Sequence, residues 1–249
     1  MASGHRWNTV GDEFVRLLIA EYQTGGEVHW PTVIAAAGCL TGETVLMTHE
    51  ARMPESGVVD NPRVSEFMHD GEVKTRTIWG YSAAIATQAF NVDPDTLPSY
   101  RHVILQLGTQ LRPASFPALD VPLHLVPHDT PMNAGPRLRR RLHEIATKDG
   151  IHGNDSAFAL ATAMMKMIGS AQYLGIRDLT SLALQSCVAG SRFAPLIEVV
   201  DPRTTGIVES NTPAAVAAPQ NGDAPPIPAA AIVAAALSDH AALGFGKRR

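Results

Sequence analysis

The stretch on which the fold turns reads Pro31-Thr32-Val33-Ile34-Ala35-Ala36-Ala37-Gly38-Cys39-Leu40-Thr41-Gly42-Glu43-Thr44-Val45-Leu46. Proline fits the first turn of a helix, where its missing N–H has no intrahelical acceptor to lose. Beyond it Ile34, Ala37, Gly38, Val45 and Leu46 follow a helical pattern, and the other faces are mostly apolar as well. A helix that is apolar nearly all round belongs inside a fold. Gly38 and Gly42 each cost about 1 kcal/mol relative to alanine within a helix. Their presence here implies close approach of another backbone. The reading is a central helix packed through its small residues.

Helix punctuation continues on both sides. Upstream, Asp12 reads as the cap of a first helix with Phe14, Leu17, Leu18 and Tyr22 on one face, stopped by Gly25-Gly26. Downstream, helical patterns span 80–90, 98–111, 136–148, 155–174 and 177–189. Between them, residues 63–79 break the helical period. Asp70-Gly71 is a strong hairpin signal, and Glu72-Val73-Lys74-Thr75-Arg76-Thr77 alternates with β-branched residues. Asn61-Pro62 opening a short helix closed by Gly71 is the competing reading; the hairpin is favoured. The expected class is mainly α: a single helical domain of six to seven helices with one small β-hairpin.

Composition changes near residue 200. The last 49 residues contain 13 alanines and 6 prolines, with no tryptophan or tyrosine and one phenylalanine. Such a segment buries too little apolar surface to offset its ordering entropy. Residues 8–200 therefore form the expected globular body, and 201–249 a flexible low-complexity tail. Within that tail Pro228 opens a short apolar stretch, 228–243, whose Ile232, Val233 and Leu237 match the anchors of a helix that orders on docking into a groove.

Charge and cysteine content narrow the function classes. With 24 acidic against 20 basic side chains, the chain has a formal net charge of −4 and no general attraction to phosphate. Two cysteines exclude a disulfide scaffold and a four-cysteine zinc site. The sequence pattern predicts no membrane-spanning helix and no secretory leader, hence a cytoplasmic protein.

Candidate chemistry concentrates in a proline-rich connection, 112–135, punctuated by Pro113, Pro117, Pro122, Pro127 and Pro131. It is longer than ordinary connections, and such loops are often functional. His124, His128 and Asp129 are its metal-ligand types, but Pro122 and Pro127 keep the two histidines off a common helix face. Three further histidines, His102, His143 and His152, lie within 51 residues of sequence around them. Cys39, among alanines, reads as a small buried hydrophobe. Arg137, Arg139, Arg140 and Arg141 form the one basic cluster, either a phosphate contact or a solvated helix face paired with Glu144. Met164 and Met167 share a helix face that is either core or an interface between copies. The expectation is a non-catalytic helical interaction or assembly module, self-associating, without a cofactor. The alternatives are an enzyme or divalent-metal protein using 112–135, and weak nucleic-acid binding through Arg137–Arg141.

Overall fold

The computed structural model describes residues 2–50, 57–69, 76–108 and 117–200. Within them run eight α-helices: α1 (Ala2–Tyr22), α2 (Trp30–His49), α3 (Pro62–Met68), α4 (Ile78–Phe90), α5 (Tyr100–Gly108), α6 (Ala134–Lys148), α7 (Asn154–Ser170) and α8 (Ile176–Gly190). One antiparallel pair, β1 (Gln23–Thr24) and β2 (Glu27–Val28), joins α1 to α2. The architecture is mainly α with one small hairpin, as the sequence pattern implies. The tail anchors Ile232, Val233 and Leu237 lie outside the described residues.

Every residue of α2 from Pro31 to Glu43 is buried, and so are Val45 and Leu46. Its most extensive neighbours are α8 and α7. The two glycines are explained by the α8 contact. A Cβ added to Gly38 would stand 2.5 Å from the Ala183 carbonyl oxygen, and one on Gly42 would overlap the Cys187 carbonyl and come within 2.6 Å of the Ser191 nitrogen. Gly190 answers from α8: a Cβ there would overlap the carbonyl of Cys39. The two backbones touch without intervening side chains. Two threonines of α2 are satisfied within the helix, Thr41 and Thr44 donating 2.8 Å hydrogen bonds to the carbonyls of Ala37 and Leu40 respectively.

Among the described residues α2 is also the one helix long and apolar enough to cross a membrane by length and composition. In this fold 83% of that span is buried against the rest of the chain.

Two local readings change. Asp12 does not cap α1, which begins ten residues earlier; it faces α7 and pairs with Lys166 at 2.6 Å. The Lys166 ammonium also donates to the carbonyl of Asn8 at 2.9 Å. The helix extends upstream because Trp7 and Val10 continue the apolar stripe of Phe14, Leu17 and Leu18. Trp7 stacks on Phe158 at 4.6 Å and its indole donates to Asp155 at 3.0 Å. The hairpin, in turn, is not at Val64 and Phe67. Those residues lie on α3, where the Asn61 side chain accepts from the Arg63 amide at 2.9 Å and Pro62 occupies the first turn. Residues 70–75 lie outside the described set. The observed turn is Gly25-Gly26, both with positive φ, 60° and 90°. Glycine adopts that conformation without steric cost, so one dipeptide ends α1 and reverses the chain.

Met164 and Met167 are fully buried in the main core. Of the two readings of their shared face, core or interface between copies, burial places them in the core of this chain.

A methyl group at either crossing glycine tests this packing. Gly42→Ala and Gly190→Ala each add about 1 kcal/mol of helix propensity, yet both are expected to lower unfolding free energy by about 3 kcal/mol through backbone overlap. Urea midpoints measure this; a neutral or stabilising effect at both positions would mean that α2 and α8 do not meet there.

Candidate functional site

The side chains with chemistry gather along the edge of α2 facing the 117–133 segment and the start of α6. This seam is assembled from distant parts of the chain. At its upper end Tyr22 closes α1, and His29 sits at the N-terminus of α2 just after the hairpin. The His29 ring stacks on His128, centroids 3.4 Å apart and planes 13° from parallel. Thr32 ties the pair together, its hydroxyl 2.7 Å from His29 Nδ1 and accepting the His128 amide at 2.8 Å. Burial first, and the neighbouring His128 second, lower the His29 imidazole from its ordinary 6.5 to about 4.

Asp129 continues the seam. One carboxylate oxygen accepts from the Asn133 amide at 2.8 Å, and the other lies 2.8 Å from Arg137 Nη1. The Arg137 guanidinium stands 5.7 Å from the centre of the Tyr22 ring. The Tyr22 hydroxyl itself is buried and makes no hydrogen bond. Burial and then the Asp129 charge raise its pKa well above the usual tyrosine range. Asn133, completely buried, holds Val200 by both backbone groups, donating to its carbonyl at 2.8 Å and accepting its amide at 2.9 Å.

Further along α2, Glu43 is 5% exposed and meets Arg139 Nε at 2.6 Å. Desolvation raises the Glu43 carboxyl while Arg139 pulls it back down. The same guanidinium donates to the Leu196 carbonyl at 2.9 Å. Gly135 gives this ion pair its room, since a Cβ there would be 2.5 Å from the Glu43 carboxylate. Cys39 and Cys187 are buried with burial-raised thiols, the unreactive form expected of small hydrophobes.

The sequence-selected residues are thus partly brought together. His128 and Asp129 lie in the seam, but His124 is exposed on a short 3-10 turn, Leu123–Leu125. Asp129 is engaged by Arg137 and Asn133, and His128 by His29. Among the described residues no group of three or more His, Cys, Asp or Glu is arranged to hold a metal ion. Each of the four arginines faces an acid of the chain: Arg137 Asp129, Arg139 Glu43, Arg140 Glu144 at 3.4 Å, and Arg141 Glu21 at 4.0 Å. Four participants escape sequence reasoning: Tyr22, His29, Thr32 and Asn133. The pairs Thr32–His128 and Glu43–Arg139 are each separated by 96 residues, so no local spacing announces them. Their sequence sign is a glutamate and three threonines within the otherwise apolar stretch 31–46.

Breaking one half of the Glu43–Arg139 pair leaves a buried charge alone. Arg139→Met is expected to cost about 2 kcal/mol, less than the ~3–5 kcal/mol of a fully buried pair because Arg139 is partly solvated. Removing both charges in Glu43→Gln/Arg139→Met is expected to recover part of that loss; a double variant as unstable as the sum of the single ones would contradict direct pairing. Comparison of the chain with protein families, curated proteins and solved structures found no match.

Proposed function

We propose that this chain is a non-catalytic helical assembly module that associates with a second copy of itself. The observation that carries the reading is how residues 196–200 are displayed. Arg139 grips the Leu196 carbonyl and Asn133 grips both backbone groups of Val200. Between these fixed points Ile197 is 83% exposed and Val199 47%. Two apolar side chains are therefore presented on a backbone already ordered by buried polar contacts. Ordering in advance reduces the entropy that association must overcome.

The polar groups around this segment support the same reading. Glu43, Asp129, Arg137, Arg139 and Asn133 are bound to one another or to backbone, serving position more than reaction. A stable interface buries about 1,200–2,000 Å², so Ile197 and Val199 act as anchors of a larger contact. Elsewhere on the described surface Leu123 is 71% exposed and Leu105 62%.

Light scattering coupled to size-exclusion chromatography of the full chain tests the proposal. The expected wild-type mass is a multiple of the monomer, and Ile197→Glu/Val199→Glu shifts it toward the monomer with an unchanged helical content by far-UV circular dichroism. A monomeric wild type, or a variant that keeps the oligomeric mass, would overturn it.

A further inference from the structure

The stacked imidazoles of the seam have a consequence independent of assembly. We infer that the His29–His128 stack is an acid-operated latch, holding residues 122–130 against α2 near neutral pH and releasing them in mild acid. Histidine is the side chain whose ordinary titration falls between pH 5 and 8. In the closed arrangement the Thr32 oxygen accepts the His128 amide, and its O–H is free to donate to His29 Nδ1. That places the His29 proton on Nε2 and leaves Nδ1 as an acceptor. A second proton on the ring turns this acceptor into a donor; the Thr32 oxygen takes it on its remaining lone pair, so the bond reverses and the Thr32 hydroxyl proton loses its acceptor. It also sets a cation against the His128 face at 3.4 Å, and two charged rings in that position repel.

Among the described residues none offers His29 a compensating anion. From the 117–133 segment, His128 is the group whose charge acts on it. Asp129 of the same segment is committed to Arg137 of α6 and to Asn133. From α1, Glu21 faces Arg141 and the Tyr22 hydroxyl is buried, and from the hairpin Glu27 is exposed. The held segment also seats Leu125, fully buried in the main core, and the amides of Leu125 and Val126 close a single turn onto Pro122 and Leu123, so opening withdraws that side chain as well.

The sign follows from linkage. A histidine held below its ordinary value favours the closed state above about pH 6.5, and that contribution is lost as pH falls from 6.5 through about 4. If the ring regains its ordinary value on opening, the open fraction at pH 5 is about thirtyfold higher than at pH 7.5.

Amide hydrogen exchange of the full chain at these two pH values, corrected for intrinsic rates, tests the latch. The amides of His128, Leu125 and Val126 are expected to lose about thirtyfold protection at pH 5 relative to those of Met164–Ile168 in α7. His29→Gln keeps an acceptor for Thr32 but does not titrate, and is expected to abolish the pH-dependent part. His128→Gln, at an exposed position, is expected to reduce it while keeping the fold. Unchanged wild-type protection, a loss that persists in His29→Gln, or a loss shared equally by α7 would each overturn the proposal.

Discussion

The contact between the backbones of α2 and α8 is the constraint from which the rest of the structure follows. Because Gly38, Gly42 and Gly190 leave no side chain between the helices, α2 lies as deep in the fold as geometry allows. Such depth is affordable only for a helix with almost no polar surface, which explains the run of alanines and the threonines that bond back to their own helix. It also fixes where polar chemistry can occur. Glu43 cannot reach solvent, so an arginine must come to it from α6.

That requirement connects the core to the surface. Arg139 neutralises Glu43 and with another of its N–H donors holds Leu196; Asn133, one turn and a half earlier, holds Val200. The segment leaving α8 is thus laid along the beginning of α6 by side chains whose primary partners are buried. The 117–133 connection is drawn in the same way, through Thr32 and His29 at the start of α2 and through Gln185 of α8, which bonds both backbone groups of Asp120. A connection rich in proline, with two short 3-10 turns as its regular structure, is ordered because its polar groups find partners on rigid helices.

Much of the helical frame was legible in the sequence because helix ends and apolar periods are local signals. The glycines of α2 were readable for the same reason: their cost within a helix demands a close neighbour, and α8 is that neighbour. Asp12 misled because a capping residue and the exposed partner of a buried lysine look alike locally, while Lys166 lies 154 residues away. Residues 62–68 misled because the Asp70-Gly71 signal outweighed an Asn-Pro start, although Asn61 does cap α3. In the seam, His128, Asp129 and the arginines were visible as types, but their roles were not. Those roles depend on His29, Thr32, Tyr22 and Glu43, which the fold brings from the other end of the chain.

The most direct measurement of the account is a nuclear Overhauser spectrum of the labelled chain across the α2–α8 crossing. The position of a Cβ on Gly42 lies 2.6 Å from the Ser191 nitrogen, so the Gly42 α-proton occupying that direction sits against the Ser191 amide. The account predicts a strong cross-peak between these two protons, together with one linking Gly190 to Cys39. Absence of both, with the Gly42 α-protons instead close to side-chain methyls of another helix, would contradict the glycine-mediated contact on which the seam and the display of residues 196–200 depend.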